Sequence, residues 1–157
     1  MDRRGNVFEV RAVGRVHSSR AEIVDDDWGE VEATISLLPP FEPESLAGLT
    51  EFSHLEVLYL FHEVDSASVC NGARHPRGRP DWPLVGIFAQ RAKDRPNRLG
   101  LTTAELIGVE GTSIRLRGLD ALDGTPVLDI KPYMEEFGPR TAVREPRWAR
   151  ELMADYF

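Results

Sequence analysis

Cysteine is nearly missing from this chain. Of 157 residues only Cys70 carries a thiol, so no intrachain disulfide can staple the fold. A multi-thiolate zinc site is excluded for the same reason. Lysine is almost as scarce, since 17 of the 19 basic residues are arginine. No apolar run approaches the ~20 residues that a membrane span needs. A secretory apolar region is also missing: Met1-Asp2-Arg3-Arg4-Gly5 leads straight into alternating sequence, and the expected location is cytoplasmic. There is no glycine-rich dinucleotide turn, no P-loop and no Gly-x-Ser-x-Gly elbow. Dinucleotide folds, P-loop chemistry and serine hydrolysis are therefore without support.

What is present is a period of two. Val31-Glu32-Ala33-Thr34-Ile35-Ser36-Leu37 alternates apolar and polar residues, which predicts a half-buried strand. Val7 to Val16 reads as a strand kinked at Gly14. His54 to Val64 is a longer apolar and aromatic run, read as a strand buried on both faces. Leu84 to Gln90 predicts a short strand. Leu106–Val109 and Ile114–Leu119 flank Glu110-Gly111-Thr112-Ser113, a hairpin signal. Val127–Ile130 follows the turn Asp123-Gly124-Thr125-Pro126. Helical signals are two: a turn or so at Pro43–Leu49, and Pro146–Tyr156, where Trp148, Leu152, Met153 and Tyr156 recur at helical spacing. The expected fold class is all-β: one domain over 1–157, a small barrel of six to seven strands with a short internal helix and a C-terminal helix. At this length a core forms without staples, since roughly 70% of the unfolded surface is hidden.

Charge is unevenly placed. Residues 71–100 hold seven cations against two carboxylates, while the remaining 127 residues hold 12 against 24. Local potential, not net charge, steers polyanions. The four histidines lack ligand spacing. His54 and His62, eight apart on one strand, would sit roughly 26 Å apart, so no metal site is expected. His62, at a strand end before Glu63, faces the mouth of a barrel. The segment from Gly86 to Leu101 delivers Arg91 to a loop with Lys93, Arg95 and Arg98, whose guanidinium groups suit carboxylate or phosphate. The segment from Gly118 to Tyr133 carries Asp120, Asp123 and Asp129 in otherwise apolar sequence. Turn chemistry and an Asp129–Lys131 pair explain part of it; a loop that recognises a purine or an ammonium is the functional alternative.

Together these segments resemble the TrmO (YaeB, TsaA-like) family. The resemblance rests on Phe88-Ala89-x-Arg91, Arg95-Pro96-Asn97-x-x-Gly100, and Asp120-x-x-Asp123-Gly124-Thr125-Pro126-x-x-Asp129-Ile130-Lys131-Pro132-Tyr133. Gly48-Leu49-x-Glu51-Phe52-Ser53-His54-Leu55, Phe61-His62 and Val13-Gly14-x-Val16-His17-Ser18 match it too. The resemblance implies a small β-barrel that binds S-adenosylmethionine, as a homodimer, and methylates N6 of threonylcarbamoyladenosine beside the anticodon of tRNA. It implies cofactor contacts at Asp26, Asp27, Trp28, His62, Glu63, Arg91, Leu101, Asp120, Ala121, Leu122 and Asp123. Two stretches differ from the family: Asp25-Asp26-Asp27-Trp28 replaces a Pro-Arg-Gln-like stretch, and Arg98-Leu99 replaces Pro-Ile. The C-terminal domain of larger bacterial members is expected to be absent.

Transfer of a sulfonium methyl to an amine rests mostly on positioning and on exclusion of water. The catalytic set is read as Asp123, Asn97 and Arg95. Asp123, Asp120 and His62 are the candidate bases, while Arg95 and Asn97, with Arg91, orient the reactants. Arg74, Arg77, Arg95 and Arg98 form the expected RNA footprint. Two other readings stay open: a different methyl acceptor, small molecule or RNA, and a cofactor-binding module without catalysis.

Overall fold

A computed structural model describes residues 5–157. The N-terminal stretch Met1–Arg4, read above as no leader, lies outside the described residues. Six antiparallel strands close a barrel in the order β1-β2-β7-β6-β3-β8. They are β1 (Gly14–Ser18), β2 (Glu32–Leu37), β3 (His54–Leu60), β6 (Leu99–Glu110), β7 (Ser113–Arg117) and β8 (Pro126–Pro132). Two-residue strands β4 (Ala73–Arg74) and β5 (Val85–Gly86) pair outside the barrel. One helix, α1 (Arg147–Met153), follows. The expected all-β barrel is thus the observed class.

Alternation builds the core. Ala33 and Ile35 of β2, Leu55, Val57 and Tyr59 of β3, Ile114 and Leu116 of β7, and Val127 of β8 all point inward and are buried. Closure occurs where Gly14 faces Val127 and Arg15 faces Pro126. A Cβ at Gly14 would sit 2.9 Å from the Ile35 side chain and 3.0 Å from the Ser36 carbonyl. Only a residue without one lets β1 pack this closely on β2.

The structure corrects several boundaries. The strand expected from Val7 begins only at Gly14. The alternation upstream is real, but Val7 and Phe8 are 93% and 81% exposed and lie against no core. The run from His54 is buried on alternate positions only, and ends at Leu60. Leu84–Gln90 is not one strand. It is the β5 bridge followed by a 3-10 turn at Ile87–Ala89, fixed because the Gln90 side-chain amide donates to the carbonyls of Arg74 and Val85 at 3.1 and 3.0 Å. The internal helix is a 3-10 turn at Pro43–Leu46. Pro146 stands just before α1, which is shorter than expected.

The long irregular segment from Asp65 to Pro83 is pinned by polar contacts. Asp65 caps its first turn at 2.9 Å. A His75 ring nitrogen lies 2.6 Å from the Trp82 carbonyl. Arg74 makes two hydrogen bonds to the Asp94 carboxylate, one of 2.5 Å. Burial pushes the Asp94 carboxyl up, but those bonds outweigh it and hold it below the usual carboxylate range.

Two outcomes are expected. A methyl at Gly100 would land 2.5 Å from the Tyr59 ring and 3.0 Å from Phe61, so Gly100→Ala should cost about 1–3 kcal/mol as overpacking, read as a lower urea midpoint. A depressed Asp94 stabilises the fold above its unfolded pKa of about 3.9 and loses that contribution as the pH falls further. The stability gap between wild type and Asp94→Asn should therefore be steady near neutrality and shrink below about pH 4. A gap independent of pH in urea titrations would refute this.

Candidate binding cleft

An open cleft of about 1520 Å³ lies against one side of the barrel. Its floor comes from β3 and β6, through Tyr59, Thr102 and Gly100. The 3-10 turn and loop from Phe88 to Pro96 form one wall. The loop Asp120–Leu122, which connects β7 to β8, forms another. The segment Ile23–Trp28 and the face of α1 with the tail to Phe157 complete it.

At the floor sits the Asp120 carboxylate. Tyr59 donates its hydroxyl to Oδ1 at 2.9 Å and also lies 3.2 Å from the Asp120 carbonyl. Thr102 donates to the same Oδ1, and Tyr156 donates to Oδ2. Burial, and then the negative charge of Asp120, push both tyrosine hydroxyls far above their ordinary range. All three groups therefore stay protonated donors at neutral pH. Asp120 is half-buried, and its carboxylate is hydrogen-bonded on both oxygens, as a partly desolvated charge requires.

The tail is built into the site by backbone pairing. The amide of Asp27 donates to the Asp155 carbonyl at 2.9 Å, and that of Trp28 to the Tyr156 carbonyl at 2.8 Å. Gly29 is essential to this approach, since a Cβ there would lie 2.7 Å from the Phe157 backbone. Trp28 is itself buried, with the Arg20 guanidinium 4.5 Å over its ring.

The cations of the 71–100 segment mostly tie loops together. Arg74 holds Asp94, Arg77 holds Asp26 at 2.9 Å, and Arg79 holds Asp81. Arg95 donates to the Gln90 carbonyl at 2.5 Å and Arg98 to that of Val64 at 2.6 Å. Arg91 donates to the Leu101 carbonyl and remains exposed at the cleft. His62 and Glu63 stand 3.2 Å apart at the rim.

Of the residues singled out from sequence, Trp28, His62, Glu63, Arg74, Arg77, Arg91, Arg95, Leu101, Asp120, Ala121 and Leu122 converge on this one cleft. Others do not. Asp123 Oδ1 accepts from the Ser18 amide at 3.0 Å and lies in a separate shallow pocket beside His17. Asn97 and Arg98 form a turn with φ of 63° and 51°, a left-handed conformation that suits Asn, and neither lines the cleft. Asp26 is taken up by Arg77, and Asp27 (φ 64°) by the tail. Tyr59, Thr102 and Tyr156 were not foreseen. Tyr156 lies 36 positions from Asp120, and nothing local in sequence links the two. Among the described residues, no group of three or more His, Cys, Asp or Glu could hold a metal ion. None of the helices there is long and apolar enough to cross a membrane.

A closed antiparallel barrel whose wide cleft is walled by connecting loops and a C-terminal strap is a class apart from glycine-loop nucleotide folds. Residues 23–138 match the tRNA-methyltransferase O N-terminal domain, and the chain belongs to that family. A human protein named tRNA (adenine(37)-N6)-methyltransferase is 45% identical over 102 residues, covering 65% of this chain and 23% of that one. A Pyrococcus abyssi protein named "Probable S-adenosyl-L-methionine-binding protein" is 36% identical over 140 residues, covering 85% of this chain and 72% of its own length. A crystal structure of TrmO from Pseudomonas aeruginosa superposes with a TM-score of 0.70 at 33% identity, covering 88% of this chain and 62% of the other. The chain thus spans about a quarter of the human relative and less than two thirds of the solved one.

Proposed function

We propose that this chain is an S-adenosylmethionine-dependent methyltransferase that acts on N6 of threonylcarbamoyladenosine beside the anticodon of tRNA, in the cytoplasm and as a homodimer. One observation carries the reading: His62, the pair Arg91 and Leu101, and Ala121–Leu122 come from three separate stretches of sequence and line a single cleft.

The residues present fit that donor. Leu101, Phe88 and Ala121 offer apolar surface to a purine, while Asp25, Glu56 and Glu63 offer negative charge to its cationic end. When bound, the donor supplies an electrophilic methyl group on sulfur. The chain holds the Ala121–Leu122 wall fixed, orients ligands through the Arg91 guanidinium, and covers one side of the site with Trp28 and α1. Such positioning needs no covalent intermediate on the protein. Of the three candidate bases, Asp120 already accepts three hydroxyls and Asp123 serves Ser18. His62, with Glu63 at 3.2 Å, is the group left at the rim to accept a proton from N6. Arg91 and Lys93 stand beside the mouth for RNA phosphate. Phe88 and Leu84 are 77% and 63% exposed nearby, the surface where a second copy would pack.

A second reading is a different methyl acceptor. Ion pairs at Arg74 and Arg77 shrink the basic footprint expected for RNA, and that observation favours it.

Calorimetric titration with S-adenosylmethionine and S-adenosylhomocysteine should give one-site binding, weakened about tenfold or more in Arg91→Ala by loss of a charged hydrogen-bonding group. Radiolabelled methyl should then pass to tRNA bearing threonylcarbamoyladenosine and not to tRNA lacking it. No binding at millimolar donor would sink the proposal. Transfer without RNA would select the second reading.

A further inference from the structure

We propose that Tyr156 is a positioning residue of the donor cleft, acting through the Asp120 carboxylate to hold the Asp120–Leu122 wall and to keep that carboxylate from the ligand. The inference rests on the donor reading above.

Two oxygens and three hydroxyls define the arrangement. Oδ1 of Asp120 is shared by Tyr59 of β3 and Thr102 of β6, both parts of the barrel. Oδ2 has Tyr156, from the tail, as its partner. The loop is therefore fastened to the barrel through one oxygen and to the tail through the other. Leu119 and Ala121 on either side of Asp120 are buried in the core, and Leu122 gives its carbonyl to Thr125. The Asp120 side chain is the element of this wall whose partner changes when the tail changes.

The tail does not depend on the Tyr156 hydroxyl for its own docking. Its backbone carbonyls at Asp155 and Tyr156 are paired with Asp27 and Trp28. Trp82 Nε1 donates to Glu151 at 3.0 Å on the far side of α1. The Tyr156 and Phe157 rings pack edge to face with centroids 4.8 Å apart. Removing one oxygen atom from Tyr156 leaves all of these contacts in place. What it removes is the donor on Oδ2. The cleft then gains a carboxylate oxygen with no protein partner on that side, free to turn toward the ligand or draw in water. With Tyr156 in place, a ligand meets the backbone of Ala121 and Leu122 and not a bare anion.

The test is titration with S-adenosylhomocysteine on four proteins: wild type, Tyr156→Phe, Thr102→Val and Glu151→Ala. Tyr156→Phe should bind at least about tenfold more weakly, with a ligand-free melting temperature lowered by only about 2–8 °C, the cost of one bared acceptor. Thr102→Val, which strips a donor from Oδ1, should shift affinity in the same direction. Glu151→Ala cuts the other side-chain anchor of α1 without touching Asp120, and should bind as wild type does. In turnover, the donor KM of Tyr156→Phe should rise more than kcat falls. Wild-type affinity in Tyr156→Phe overturns the inference, as does an equal loss in Glu151→Ala, which would mark the tail as a strap and nothing more. If Tyr156→Phe fails to fold, wild-type affinity in Thr102→Val overturns it instead. Absence of binding by the wild type itself brings down the donor reading, and this inference with it.

Discussion

One carboxylate holds the working parts of this molecule together. Asp120 accepts hydroxyls from two barrel strands and from the C-terminal tail, so a single side chain joins wall, floor and strap. Hydrogen bonds to an ionised acceptor are roughly twice as strong as neutral ones, and leaving such an acceptor bare is costly. Other features follow from it. Tyr59 must lie flat across β6 to reach Asp120, which is why β6 has Gly100 beneath the ring. The tail must enter beside Trp28, which is why Gly29 has no side chain against Phe157. The phenols keep their protons because burial and the Asp120 charge act in the same direction, so neither serves as a base.

Arginine is used here chiefly as a fastener. The segment 71–100 has too little regular structure to hold itself through backbone ladders. Planar guanidinium groups that bind two acceptors at once replace them. Arg74 spans to Asp94, Arg77 reaches Asp26 across 51 positions, and Arg98 holds the Val64 carbonyl. A basic stretch that reads as a polyanion surface is in large part an internal scaffold. Arg91 keeps an exposed guanidinium at the cleft, with Lys93 beside it, and there the electrostatic reading keeps its force.

The barrel was legible in the sequence because alternation records burial directly. Ala33–Ile35 and Ile114–Leu116 face inward as their pattern requires. The same rule misled at Val7–Ala12, where alternation is present but no strand pairs with it. At Leu84–Gln90 a short apolar run proved to be a bridge and a turn, because Gln90 ties the backbone down. The cleft was legible only in part. Motif positions brought His62, Arg91, Leu101 and Ala121–Leu122 to one place. Motif membership alone did not say which way a side chain points. Asp123 shares a stretch with Asp120, yet the β7–β8 turn rotates it away to Ser18. Tyr156 escaped because its partner is remote in sequence, and because its spacing with Leu152 and Met153 also reads as an ordinary helix face.

Closure of the barrel also dictates where chemistry can occur. An open parallel sheet offers a crevice at its strand ends; a closed barrel filled by Val16, Leu55 and Leu116 offers none. The site has to be built from loops laid against the end of β3 and the start of β6, where Tyr59, Gly100 and Thr102 supply its floor. Such a cleft starts wide: about 1520 Å³, against the roughly 300–1,000 Å³ usual for a small-molecule pocket. Methyl transfer gains from exclusion of water, and the cleft walls alone do not exclude it. On the proposed function the remaining volume belongs to the acceptor, or to the surface of a second copy at Phe88 and Leu84. Donor and acceptor then close the site on each other, and the protein's part is to keep the wall at Asp120–Leu122 still while they do.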